Sequence, residues 1–317
     1  MHETEYKEIL DREKHTSDVR NNFSDELNLL KDLINYGTNL IPRTYVSSDR
    51  GLTSVIVIGV LLKQIVSMFD ALEILLSNAN IHAAQLAARA IFEASVYLEW
   101  MTMENSDKKA KYYYVSNLRV ERKWALRTIE DTPEHENFSH VRDQLNVDPG
   151  SKNPEMKNEA KTHLLEVNRI LAQDSFKEID EELERLKNQN RQKLEPSWYK
   201  PFQVHSLRHM AKLIKRHAEY DIFYSQGSEV THAARYKDHI KISSGKISFK
   251  PIRFLEGIRS LLFSTISIVL KTYKIILNVY RPSEVDNFNK KYIREWREAF
   301  LNMKSVTYRY NGDEKII

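Results

Sequence analysis

The sequence contains no cysteine. Disulfide bonds, thiolate metal ligands, iron–sulfur clusters and cysteine nucleophiles are therefore excluded. Glycine and proline are also scarce, with eight of each in 317 residues. Folds made of strands and tight turns need many such residues, so their scarcity favours long helices.

Long apolar runs are missing as well. The longest uncharged apolar stretches, residues 51–62 and 260–270, fall well short of the roughly 20 residues that a membrane helix needs. We interpret both as parts of buried core helices. The first five residues are polar and acidic, unlike a secretory signal peptide. We therefore expect a soluble, cytoplasmic protein with no membrane partner.

A strong charge bias is the next feature that the chain lacks. Its 48 basic and 44 acidic residues give a net charge of +4. Dedicated nucleic-acid binders usually show a larger basic excess or a basic stripe. This mild balance neither requires nor excludes RNA as a partner.

Apolar periodicity predicts an all-α, multi-helix bundle whose centre is an antiparallel pair at residues 52–77 and 81–103. Before this pair we expect two helices, the second ending at Gly37, and then a loop from Pro42. The predicted organisation is an N-terminal helical arm (1–50), a core domain (51–283) with a charged helical insertion at about 132–195, and a C-terminal helix and tail (284–317). In the insertion, Ser175 and Glu178 have the spacing of a capping box.

One segment has the alternation of a strand pair. Ile240 and Ile242 alternate with polar residues, and Ile247 and Phe249 resume the pattern after Ser244-Gly245, a suitable two-residue turn. We predict a short β-hairpin at about 239–249.

Two charged residues on an apolar helix form the first part of a candidate site. Arg89 and Glu93 are four residues apart, so they share a helix face and are predicted to pair. The desolvation cost of a buried ion pair is about as large as its Coulomb attraction. Such a pair either orders the core or serves a functional site, and the sequence leaves both readings open.

The second part is a column of polar residues at four-residue spacing: Tyr220, Tyr224, Ser228 and His232. On a helix they form one slowly rotating stripe. His232 is the candidate acid–base residue because imidazole titrates near neutral pH. The alternative is that the tyrosines are core residues and His232 ends the helix. Because buried polar groups need partners, we predict that Arg89, Glu93, Tyr224, Ser228 and His232 converge.

The ordered set of the Arg89/Glu93 helix, Trp198 and the helix of Tyr220, Tyr224, Ser228 and His232 resembles a widespread bacterial family known only as a domain of unknown function. The resemblance covers about residues 52–280 without the insertion. It implies a helical fold and no settled activity.

More distantly, the layout is similar to the HEPN superfamily of helical bundles. That resemblance implies a metal-independent ribonuclease acting as a toxin or in phage defence, with RNA as partner and a homodimer as assembly. Members use an R-x(4–6)-H motif, from which this chain departs, since Arg235 and His239 are one residue too close. The nuclease expectation therefore rests on an analogy of fold.

Two functions follow from the sequence. In the first, His232 moves a proton, Arg89 stabilises charge and Glu93 holds Arg89, while Tyr220, Tyr224 and Ser228 bind substrate. In the second, the chain is a non-catalytic helical module that binds a protein partner or a small ligand. Neither calls for a cofactor. A metal site is not expected, because the histidines at 205, 209 and 217 read better as surface residues than as ligands.

Overall fold

The computed structural model describes residues 10–46, 51–145, 154–224, 239–243, 246–303, 307–310 and 313–316. The protein is mostly an all-α bundle, as predicted, with two short strand pairs among the described residues. The helices are α1 (Arg12–Val46), α2 (Leu52–Ser77), α3 (Ile81–Thr102), α4 (Ser106–Thr128), α5 (Pro133–Asn137), α6 (Ser139–Leu145), α7 (Pro154–Leu171), α8 (Asp174–Gln189), α9 (Leu207–Leu213), α10 (His217–Glu219), α11 (Ile258–Tyr280), α12 (Val285–Lys291) and α13 (Arg297–Leu301).

The N-terminal region agrees with the prediction in part. Within α1, two helices meet at a kink at Phe23 (φ −132°, ψ 26°), so the expected pair of helices is present. The second one continues past Gly37 and through Pro42 to Val46, so the predicted stop at Gly37 and the predicted start of a loop at Pro42 are wrong. Residues 47–50 of that loop lie outside the described residues. The part of the first predicted helix before residue 10 lies outside the described residues.

Packing explains why a glycine stands within α1. A Cβ atom at Gly37 would lie 2.0 Å from the hydroxyl oxygen of Tyr273 and 2.7 Å from a methyl carbon of Val66. The Tyr273 hydroxyl donates a hydrogen bond to the Leu33 carbonyl at 2.9 Å. Burial raises the pKa of this tyrosine. Gly37 is therefore needed for the close approach of α11 to α1.

The contacts divide the chain into two units. The first comprises residues 1–49, 58–104 and 206–317, and the second comprises residues 50–57 and 105–205. In the first unit, α11 packs against α3 and α1. The largest fully buried side chain of the described residues, Trp296, lies in the same unit, where Tyr36 packs edge-on against it at 5.3 Å between ring centroids.

The second unit contains the charged insertion and α4. Helices α7 and α8 pack against α4, and together they build a separate core. Ile179 and Leu183 of α8, four residues apart and therefore on the same helix face, are buried in it. The predicted capping box is wrong, because α8 begins at Asp174 with Gln173 as its N-cap and without a capping side chain.

Two helical segments, Thr53–Ser77 and Ile258–Tyr280, are long and apolar enough to cross a membrane, among the residues that the structure describes. Half of the apolar window in each is buried inside the protein. Core helices of soluble proteins share this length and composition, so location stays a prediction.

The predicted hairpin is confirmed. Strands β1 (Ile240–Ser243) and β2 (Lys246–Phe249) pair antiparallel, with Ile242 opposite Ile247. The side chains of Ile242, Ile247 and Phe249 are exposed, so the alternation indicated strands but not a buried face. A second antiparallel pair, β3 (Thr307–Tyr310) and β4 (Asp313–Ile316), lies in the tail, for which no structure was predicted.

Candidate functional site

One face of α3 builds the centre of the site. Arg89, Phe92, Ser95 and Glu99 follow each other at three- or four-residue spacing and therefore lie on the same side of the helix. This face packs against the segment from residue 216 to residue 224. Phe92 contacts it through Phe223, whose ring is stacked at 6.1 Å between centroids.

Arg89 is held by an aromatic stack. Its Nη2 atom donates a hydrogen bond to the Tyr224 hydroxyl at 2.9 Å, and its guanidinium carbon lies 4.2 Å from the centre of that ring. Tyr224 stacks on Tyr220 at 4.8 Å. The guanidinium carbon of Arg208 lies 6.0 Å from the centre of the Tyr220 ring. The result is a ladder of two arginines and two tyrosines, stabilised by cation–π attraction.

The described contacts do not include the predicted pairing of Arg89 with Glu93. Glu93 Oε1 accepts a hydrogen bond from the Tyr97 hydroxyl at 3.0 Å, one turn further along α3. The contacts described therefore join each charged group to a tyrosine rather than to the other. Both side chains are half-buried, so the premise of a deeply buried ion pair does not hold.

The column of polar residues is described only in part. Tyr220 and Tyr224 are adjacent, and both are half-buried. Burial raises the pKa of Tyr220. Ser228 and His232 lie outside the described residues, so their convergence with Arg89 stays a prediction.

The segment Tyr220–Tyr224 is a π-helical turn that follows α10, whereas the spacing of Tyr220 and Tyr224 predicts a regular α-helix. Turns of this kind are rare and are found frequently at functional sites. The wider turn presents Ile222 to solvent and buries Phe223.

A buried charge network, which the sequence analysis missed, lies beside the ladder. Arg216 is only 2% exposed. Its Nη1 atom donates to Ser95 Oγ at 3.0 Å and to Glu99 Oε2 at 3.1 Å, and its Nε atom donates to Glu219 Oε2 at 2.8 Å. Lys271 of α11 binds the other oxygen of Glu99 at 3.0 Å. Two cations and two carboxylates therefore balance each other.

A cavity of about 970 Å³ opens next to this network, entirely within the first unit. Its apolar lining consists of Ile222, Phe223, Phe263, Ile268, Leu301 and Met303. Its polar lining consists of Glu219, Glu256, Arg259, Ser260, Ser264, Ser267 and Lys271. Glu219 and Lys271 thus belong both to the cavity wall and to the charge network.

A smaller cavity of about 120 Å³ shares Ile222, Phe223 and three further residues with the large one. Gln85 of α3 lines it, and the buried Oε1 atom of this side chain has no hydrogen-bond partner among the described residues. An unsatisfied buried acceptor costs free energy, so a hydrogen-bond donor at this position is favoured.

Comparison with known proteins assigns the family. The model of a family of unknown function, DUF5677, matches residues 55–247, more than half of the chain. The chain belongs to the DUF5677 family. This agrees with the resemblance to a helical family of unknown function. Searches of curated proteins and of solved structures found no match.

The DUF5677 match contains the ladder and the buried Arg216 but ends before α11. Most of the cavity wall, including Lys271, therefore lies outside the part of the chain that the family model covers. Trp198, the tryptophan of the resemblance, is inside it and packs edge-on against Tyr113 at 5.3 Å in the second unit.

Glu219, the carboxylate that follows His217 most closely in the chain, accepts a hydrogen bond from Arg216. Within the described ranges, no group of three or more histidine, aspartate or glutamate side chains is arranged to hold a metal ion.

Proposed function

We propose that this DUF5677 protein is a helical module that binds a small amphipathic ligand in the cavity of about 970 Å³. The observation that carries the proposal is the composition of its wall. Ile222, Phe263 and Leu301 are large apolar side chains, each about half exposed, and all three line this cavity. Exposed apolar surface concentrated beside charged groups is typical of ligand sites.

The charge network supports the same proposal. Arg216 ties Glu99 and Glu219 together and is itself buried, so Glu219 is held at the cavity wall before any ligand arrives. Preorganised polar groups at one end of an apolar cavity lower the entropy cost of binding. Small-molecule sites commonly combine mainly apolar walls with a few placed polar groups.

Binding of the neutral fluorescent probe N-phenyl-1-naphthylamine tests this function. We expect saturable binding to the full-length protein and a loss of about tenfold in affinity in Ile222→Asp, because a charge placed in an apolar wall must be desolvated. Ile222 is 52% exposed, so the substitution should leave the fold intact. Fluorescence titration gives Kd, and circular dichroism checks the fold.

Ile74→Asp is the matched control. Ile74 is 55% exposed on α2 and does not line the cavity, so the same chemical change should leave Kd within about twofold of the wild type. Absence of saturable probe binding, or an equal loss of affinity in both variants, would refute the proposal.

A ribonuclease is the second candidate, and the ladder is the observation that favours it. Tyr224 fixes the Arg89 guanidinium by a hydrogen bond and by ring contact, as a group that stabilises developing phosphate charge must be fixed. In this proposal His232 moves the proton and Glu93 supports the helix that carries Arg89. The residues that position RNA are Tyr220, Tyr224 and Ser228. The HEPN analogy adds a homodimer and a role as toxin or phage-defence effector.

An RNA cleavage assay without added metal tests the second candidate. We expect cleavage by the wild type and a loss of about 10²–10⁴-fold in rate in His232→Ala, the usual contribution of a general acid or base. His205→Ala, at an exposed histidine of α9's N-terminal flank, should cleave like the wild type. An inactive wild type, or full activity in His232→Ala, would exclude this candidate.

A further inference from the structure

We infer that the ligand of the cavity is an amphipathic acid whose anionic head group binds Lys271 while its apolar body lies against Phe263 and Leu301. The inference rests on the proposed ligand-binding function and names the chemical class of the ligand. It is carried by the way in which the charges at the cavity wall are paired.

Of the two cations in the charge network, Lys271 is the one that a ligand can engage at the lower cost. Its ammonium group lies 3.0 Å from Glu99 Oε1, its side chain is 40% exposed, and it lines the cavity. Ion pairs as exposed as this one contribute little free energy. The ammonium group can therefore turn toward a second anion without a large loss.

Glu99 does not become an unpaired buried carboxylate when Lys271 turns away. Its other oxygen, Oε2, accepts a hydrogen bond from Arg216 at 3.1 Å. Because the side chain of Arg216 is 1% exposed, this second pair is shielded from water and stays in place. The network thus offers one cation to a ligand and retains the other for its own carboxylate.

A cationic ligand is disfavoured by the same pairing. The anion that it would engage, Glu219, accepts two hydrogen bonds from the buried guanidinium of Arg216. If Glu219 moved toward a ligand, the buried guanidinium of Arg216 would lose one of its carboxylate partners, which costs free energy. The other charged residues of the wall, Glu256 and Arg259, carry opposite signs and are exposed, so they do not reverse this preference.

The shape of the cavity matches an elongated ligand. Ser260, Ser264, Ser267 and Lys271 all line it and follow one face of α11 at helical spacing. From Ser260 to Lys271 the helix rises by about 16 Å. Ser267 lies one turn before Lys271, so its hydroxyl is a second donor for the head group.

Two probes with the same aromatic body separate the contribution of the anionic head group to the affinity from the contribution of the apolar body. The anionic 1-anilinonaphthalene-8-sulfonate carries a sulfonate that the neutral N-phenyl-1-naphthylamine lacks. We expect Lys271→Gln to weaken binding of the anionic probe by about tenfold and binding of the neutral probe by less than about twofold. Lys271→Arg, which keeps the charge, should restore most of the affinity for the anionic probe.

Lys274→Gln is the matched control, since it removes an exposed lysine of the same helix that does not line the cavity. It should leave the affinity for both probes unchanged. Equal losses for both probes in Lys271→Gln, or an equal loss of anionic affinity in Lys274→Gln, would overturn the head-group site. Neutral binding that still depends on Ile222 would then leave the proposed function standing, whereas no binding of either probe would refute both.

Discussion

Arg216→Met is expected to lower the free energy of unfolding of the first unit by about 3 kcal/mol, the lower end of the range for breaking a buried ion pair. The side chain of Arg216 is 1% exposed and gives hydrogen bonds to Glu99, Glu219 and Ser95. Methionine fills much of the same volume but leaves these acceptors without their donor. Lys271 still neutralises one carboxylate, which keeps the cost from being higher.

Arg208→Met is the control for this prediction. Arg208 pairs with Asp221 at 3.4 Å, but both side chains are more than half exposed, so their pair should contribute less than about 1 kcal/mol. Urea denaturation followed by circular dichroism measures both variants. Equal shifts of the two midpoints would show that the Arg216 network contributes no more than a surface pair.

Long apolar helices could be predicted from the sequence almost to the residue. Helix α2 spans the predicted range, and α3 ends one residue before it. Both are apolar nearly all round and are separated by a short polar turn, so pattern and turn chemistry agree. Gly37 and Pro42 misled the prediction because they carry local signals that tertiary packing overrides. Gly37 is a close-approach position rather than a helix end.

The candidate site shows the same limit. Spacing along a helix correctly placed Tyr220 beside Tyr224, because that contact is local. Tyr224, the described partner of Arg89, is 135 residues away in the chain. Its convergence with Arg89 was predicted from the need of buried polar groups for partners and not from a local pattern, whereas the i, i+4 rule pointed to Glu93.

Arg216 was missed for a related reason. It stands between Lys215 and His217, which are both exposed, in a basic stretch that has the composition of a solvated surface. Its burial arises from the fold, which places it against α3 and beside Glu99. The available signal was Glu99, a carboxylate on a helix that is otherwise mostly buried and that must therefore have a partner.

Arg119→Met is expected to have the largest effect in the second unit, with a loss of about 3–5 kcal/mol. The side chain of Arg119 is 2% exposed and binds three carboxylates, those of Asp180, Glu184 and Glu195. Removing it leaves these three anions to repel each other. The remaining cations nearby are partly exposed to solvent and therefore compensate for this repulsion only weakly. Hydrogen exchange measured by mass spectrometry should show lost protection in α4, α7 and α8.

Arg185→Met is the control for this variant, because Arg185 is 67% exposed and approaches Glu182 only to 4.0 Å. Its protection pattern should match that of the wild type, since such surface pairs contribute less than about 1 kcal/mol. Unchanged protection in Arg119→Met would mean that the apolar core of the second unit, and not its buried arginine, determines its stability.

Low pH is expected to destabilise the same Arg119 network in the wild type. Burial alone raises the pKa of Glu184 and Glu195, but hydrogen bonds from Arg119 outweigh it, so each pKa lies below its ordinary value of 4.5. A carboxyl group with a lowered pKa in the folded state stabilises the fold above its unfolded pKa, and this contribution is lost as the pH falls through the folded pKa. The second unit should therefore lose stability below about pH 4.5. In Arg119→Met, the hydrogen bonds that lower these two pKa values are gone. The free energy of unfolding should therefore decrease less over the same pH range. Denaturation midpoints measured from pH 7 to pH 3 test this, and equal slopes for both proteins would contradict it.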